Sequence, residues 1–274
     1  MMMWLMFFRD LHSMSKRWKY FISTLLSMAG FYLYLWLPVE SRYFGLALEI
    51  GLVVFCFWFG LGVIFENNID QKLMVIILPL IFALGYSLFC ALLPTNQFYM
   101  VLLSVFFGLV IYLLFLVENV FLVAIGFKTV PLYRAAYTSS LIFTLFSAFF
   151  VFNSILSFRW AFWINFLVVG VVSIVLFLYQ FLAIAIELPD DGVDKGKWVY
   201  ATIAGFVMGE LALAFSFWPV GVFRGSIYLV CAIYVLSGLF QADIKDRLFK
   251  SVLTNYGLIG IAITVAIILT NPWG

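Results

Sequence analysis

Charge is scarce in this chain. Of 274 residues, 15 are Lys or Arg and 13 are Asp or Glu, 10% in all, against about one quarter in an ordinary soluble domain. So few charges cannot cover a folded surface in water, which excludes a cytoplasmic enzyme, a nucleic-acid-binding domain and a disordered tail. Histidine is scarcer still. His12 is alone, and that removes histidine-based zinc, haem and nucleophile–base sites. Three cysteines, Cys56, Cys90 and Cys231, are too few for a disulfide framework. Each lies in an apolar run and reads as a small apolar side chain. No Ser stands in a Gly-x-Ser-x-Gly elbow. The run Gly192 to Lys197 is one residue short of a phosphate loop and is followed by Trp198 instead of Ser or Thr. No nucleic-acid partner and no cofactor is expected.

What the chain has is apolar surface: 66% of residues are hydrophobic and 20% are aromatic. The bilayer is then the main solvent and partner. A spanning helix needs about 20 apolar residues to cross roughly 30 Å of hydrocarbon. Uncharged runs bounded by charges, Pro or Gly predict an all-α polytopic transmembrane bundle of nine spans. They are 20–38, 43–65, 73–93, 98–121, 136–157, 160–186, 198–219, 222–241 and 252–270. The loops are short, so consecutive spans run antiparallel. Basic residues near span ends favour the cytoplasmic side. With the N-terminus inside, Arg9, Lys16, Arg17, Lys19, Lys72, Lys128, Arg134, Lys195, Lys197, Lys245, Arg247 and Lys250 are inner, and only Arg42, Arg159 and Arg224 are outer. Losing or adding one span would scramble this alternation, so the C-terminus is expected outside.

Tryptophans support the same frame. Trp36, Trp160, Trp163, Trp218 and Trp273 fall at outer ends and Trp18 and Trp198 at inner ends, where amphipathic rings sit at headgroup depth. Trp58 is the exception, and packing against another helix is its expected role. Residues 1–19 lack the order of a cleavable signal, because the apolar stretch precedes the basic cluster. Phe7, Leu11, Met14 and Trp18 form one helical stripe with the basic residues mostly off it, which predicts a cytoplasmic interfacial helix ahead of the 20–274 transmembrane domain.

Ionisable groups inside a bilayer are costly and mark function or cross-helix glue. Glu210 lies near the middle of span seven, beside the small-residue seam Ala201, Gly205 and Gly209, and is expected to face the bundle interior. Glu49 lies in the outer third of span two. Asn153 and Asn165 fall at similar depth, beneath Arg159 and Arg224. Together these four predict an outward-opening polar cavity with the two acids as proton or cation sites. The bland alternative makes each acid packing glue. An inverted five-plus-five repeat would relate Glu49 to Glu210, but at unequal depths. Glu118 falls at the inner end of span four, where a helix C-terminus opposes a carboxylate. Arg134 is its expected ion-pair partner, with Lys128 second. Gly60 and Gly62 mark a candidate break in span two.

Asp190, Asp191 and Asp194 after span six, and Asp70 with Asn67 and Asn68 after span two, form acidic clusters of a kind that can hold magnesium against a diphosphate. Nine spans with such loops resemble the intramembrane aromatic prenyltransferases, which implies a magnesium-dependent prenyl transfer. The pattern departs from that family: no further Asp follows Asp70, and Pro189 and Gly192 interrupt the second cluster. The stretch Glu118-Asn119-Val-Phe-Leu-Val-Ala through Val130-Pro-Leu-Tyr-Arg-Ala-Ala136 resembles a segment of uncharacterised polytopic membrane proteins of bacteria. That resemblance implies a multi-pass plasma (inner) membrane protein and no activity.

The expectation is therefore an integral membrane protein acting on a small solute or ion through intramembrane carboxylates, with no catalytic site. The alternative is a structural or accessory component with a membrane-protein partner or a second copy of itself. Prenyl transfer is the remote third.

Overall fold

The computed structural model describes residues 16–61, 69–94, 96–127, 132–187, 193–218 and 220–270. Among them it is all-helical, with nine helices: α1 Lys16–Trp36, α2 Arg42–Leu61, α3 Ile69–Ala91, α4 Gln97–Phe127, α5 Tyr133–Ser157, α6 Phe162–Glu187, α7 Val193–Phe217, α8 Val222–Ile244 and α9 Lys250–Thr270. A short 3-10 turn, Val39–Ser41, joins α1 to α2. Eight of the nine, α2 to α9, are long and apolar enough to cross a membrane. This differs from the nine expected spans at α1. That helix carries Ser23, Thr24 and Ser27 and three tyrosines, Tyr20, Tyr32 and Tyr34, which lower its hydropathy. Of the predicted interfacial helix, only 16–19 are described, and they are the first residues of α1.

Two clusters of buried side chains organise the bundle. The first joins α1 to α4, with Phe150 of α5 and Tyr179 of α6, and is built on stacked rings. Phe57 lies on Phe115 with centroids 4.0 Å apart, and Phe31 on Phe107 at 4.6 Å. Offset stacking of this kind adds to dispersion contact, the main force left when lipid removes the hydrophobic drive between helices. The second cluster joins α5 to α8 through side chains such as Phe152, Phe177, Met208 and Ile233. The tightest seam is between α6 and α7. A Cβ at Gly205 would stand 2.8 Å from Gly170 O, and one at Gly209 would stand 2.9 Å from Phe166 O. Only glycine lets the backbones approach so closely. Helix α9 packs chiefly on α8 and is almost wholly exposed.

The outer surface of the bundle is strongly apolar, with Phe44, Trp58, Leu109, Phe206 and Leu269 all exposed. The bundle is pinned at both ends by polar contacts. At one, Arg224 Nη1 donates to Thr270 O at 2.7 Å. At the other, Tyr200 OH donates to Asp243 Oδ2 at 2.6 Å and Lys245 Nζ stands 5.6 Å over the Tyr137 ring. Trp58 does not pack into a neighbour as expected. It is exposed on α2, on the outer surface of the bundle. Gly60 is helical and meets Phe115 and Ser23, so it serves close packing; Gly62 lies outside the described residues.

Candidate functional site: buried carboxyls and a polar seam

Two of the three acids expected within spans are completely enclosed, and their surroundings differ from those expected. Glu49 on α2 accepts a hydrogen bond from Ser87 Oγ of α3 at 2.6 Å, while its Oε2 has no partner. Tyr34 OH of α1 donates to the Ser87 carbonyl at 3.1 Å, closing a three-helix polar knot.

Glu118 is also fully enclosed, but Arg134 is not its partner. Arg134 is exposed on the first turn of α5. Tyr179 OH of α6 donates to Glu118 Oε1 at 2.7 Å, and Glu118 Oε2 is unpartnered. The expected ion pair rested on α4 ending near 121, with Glu118 against the helix C-terminus. Instead α4 runs to Phe127, leaving Glu118 more than two turns inside, beyond the reach of the terminal dipole. Tyr133 OH also donates to Ala183 O, fixing the start of α5 to α6 beside this carboxyl.

From the Glu118–Tyr179 pair two buried stripes lead along the bundle. On α5 the stripe is Ser140, Thr144, Ser147, Val151 and Ser154; on α6 it is Asn165, Val169, Ser173, Leu176 and Gln180. The spacing of three and four residues puts each set on one helix face. The stripes meet where Gln180 Nε2 donates to Thr144 Oγ1 at 2.6 Å. Ser140, Thr144, Ser147 and Ser154 donate back to carbonyls of their own helix, which is the ordinary way a spanning helix hides a hydroxyl. Ser173 Oγ and Gln180 Oε1 are different: each is enclosed and has no partner. With Glu118 Oε2 and Asn165 Oδ1 they make four unsatisfied polar atoms along one seam. Each such atom costs about 1–3 kcal/mol unless something polar reaches it.

The four residues expected in one cavity are not brought together. Glu210 is exposed on the outside of α7 and does not face the interior. The reason lies in the glycines. Gly205 and Gly209 turn toward α6, and Glu210, about 100° further round, is carried to the open side. Asn165 lines a cavity of about 390 Å³ between the α5–α6 and α7–α8 turns, with Arg159, Trp160 and Ser216. Asn153 is buried on α5 but does not line it. Glu49 belongs to the separate α1–α2–α3 knot. Asp190 and Asp191, and the side chains of Asp70 and Asp194, lie outside the described part. Among the described residues no group of three or more His, Cys, Asp or Glu side chains could hold a metal ion.

Residues 65–270 match the model of a protein family of unknown function, DUF5656. The chain belongs to this family. Its match bears out the resemblance to uncharacterised proteins read from Glu118 to Ala136. No curated protein and no solved structure matches the chain. The matched segment holds Glu118, Tyr179 and both stripes; Glu49 and Tyr34 precede it. Sequence reasoning that weighed acids and asparagines missed Tyr179, Gln180, Ser173 and Ser87. A signal existed: Asn165, Ser173 and Gln180 recur at eight and seven residues within an otherwise apolar run, the spacing of one helix face.

Proposed function

We propose that this DUF5656 protein is a small-solute or ion transporter of the plasma membrane, in which α1, 21 residues and so about 31 Å long, crosses alongside the eight apolar helices and leaves the N-terminus inside and the C-terminus outside. The observation that carries this reading is the enclosed Glu118 at one end of a seam with unsatisfied polar atoms. Glu118 binds a proton or cation, Tyr179 orients the carboxyl, and Ser173 and Gln180 complete the coordination of a passing solute, ion or water. Glu49, with Ser87, is a second carboxyl site outside the matched segment. A packing carboxyl and a transporting one differ in access. Purified protein in liposomes is treated with a hydrophobic carbodiimide, which forms an acylurea on protonated carboxyls it can reach, and each Glu is read by mass spectrometry. Transport predicts modification of Glu118, suppressed when a competing cation is bound. An unmodified Glu118 in folded protein would assign it to packing alone.

A second reading has an observation of its own. Glu210 is exposed beside Ile203 and Phe206 on an apolar face, where a carboxyl against lipid is costly. An accessory protein would cover it with a partner helix. Disulfide cross-linking in membranes through Glu210→Cys tests this: a cross-linked species supports assembly through α7, and persistent monomer at full cysteine oxidation contradicts it.

A further inference from the structure

The cavity between the α5–α6 and α7–α8 turns has the character of a binding site, and it stands independently of the transport reading. Its lining sets one cation and several polar groups, Arg159, Trp160, Asn165 and Ser216, among apolar side chains such as Leu156 and Phe215. No acidic residue lines it among the described residues. Three features converge there.

Arg159 has φ +50°, in the left-handed region that non-glycine residues rarely occupy. The α5–α6 turn holds it there, and its exposed guanidinium forms no ion pair among the described residues. Gly221 and Gly225 bring the start of α8 to the cavity wall. Gly221 caps this 23-residue helix in an extended conformation without any side-chain cap. The amides of Val222, Phe223 and Arg224 therefore lack intrahelical acceptors, and the helix dipole adds partial positive charge. Such a terminus is ready-made for an anion. Independently, Asn165 is only 4% exposed, and its Oδ1 has no partner. Its Nδ2 is already engaged, donating to Ser216 Oγ at 3.1 Å. An anion alone would leave that oxygen orphaned. A ligand that completes the site brings both a negative group for Arg159 and the α8 amides and an N–H or O–H for Asn165.

Depth narrows the chemistry. Trp160 and Trp163 are exposed at this end of the bundle, at the level where amphipathic rings meet lipid headgroups and where phosphate is the prevailing anion. We infer that the cavity binds a phosphate ester that also carries a hydroxyl or ammonium group, from a lipid headgroup or from a free glycerol phosphate. Arg159 forks the phosphate oxygens, the α8 amides complete the cradle, and Asn165 Oδ1 accepts from the hydroxyl or ammonium.

The test uses the full chain purified in mild detergent and delipidated, with binding read by native mass spectrometry. Glycerol 1-phosphate, phosphatidylglycerol and phosphatidylcholine are titrated separately. Expected is retention of phosphatidylglycerol over phosphatidylcholine, which has no N–H or O–H donor. Binding of glycerol phosphate as well marks a free-solute site; binding of the lipid alone marks a headgroup site; both support the inference. Arg159→Asn keeps a residue tolerant of the left-handed turn and should weaken binding about tenfold or more, the scale of a lost charge-assisted hydrogen bond. Asn165→Asp, nearly isosteric, should do the same by repelling the anion. If one variant fails to fold, the other carries the test. Equal binding of phosphatidylglycerol and phosphatidylcholine, or wild-type affinity in a folded variant, would overturn the inference.

Discussion

Tyr179 and Glu118 show how much hangs on one hydroxyl inside an apolar bundle. Tyr179 OH gives the enclosed carboxyl its one donor, so Tyr179→Phe leaves both carboxyl oxygens bare. The expected cost is about 1–3 kcal/mol, the desolvation of a buried polar group with no partner, seen as a lower thermal unfolding midpoint in detergent. Glu118→Gln keeps an acceptor for Tyr179 and should unfold near wild type. Arg134→Ala, in contrast, should leave the midpoint unchanged, because Arg134 is exposed. A loss there equal to that of Tyr179→Phe would restore the ion pair that the sequence led one to expect. The presence of three acids within apolar helices was legible, since a lone Glu in an apolar run is conspicuous. Their partners were not, because Ser87 and Tyr179 are 38 and 61 residues away in sequence from the acids they touch. A charge seeks a countercharge on paper; in the folded bundle a hydroxyl at the right depth serves instead.

Helix positions came out of the sequence well because length and apolarity are local properties. Helix faces did not. Gly205 and Gly209 announced a close seam, and the seam is there, against Gly170 and Phe166 of α6. What the sequence left open was which way Glu210 would turn, since that depends on which neighbour claims the glycines. Substitution at the seam gives a sharp expectation. Gly209→Ala puts a methyl 2.9 Å from Phe166 O, and the backbones must separate. The overpacking cost is about 1–3 kcal/mol, read as reduced thermal stability, while Gly257→Ala, which meets open space on α9, should be neutral. If the two were equally mild, the α6–α7 seam would not be the tight contact described. The end of α4 carried the other error: Asn119 to Ala124 continues the helix past the expected boundary, and the dipole argument for Glu118 lapsed with it.

For the whole molecule, eight apolar helices and an apolar exterior agree with a composition that is 66% hydrophobic, as an integral membrane protein requires. The alternation of basic residues from end to end sets an expected orientation. A periplasmic-type reporter should be active after Thr270 and inactive after Phe127, with the reverse pattern contradicting it. Why α1 falls short of the other helices is equally physical: its hydroxyls and tyrosines suit contact with α3 and α4, where Tyr34 and Tyr20 are buried, better than contact with lipid. The central claim is that the α5–α6 seam is a polar route and not dry packing. Its most direct test is water access at Ser173, whose enclosed Oγ has no partner. A single cysteine is placed there in a chain lacking Cys56, Cys90 and Cys231, with Ile111→Cys in the aromatic core as control. Intact cells and inside-out membrane vesicles are then exposed to a small membrane-impermeant thiol reagent. A polar route predicts labelling at 173 and none at 111; no labelling at 173 from either side of the membrane, with the protein folded, would make the seam dry packing.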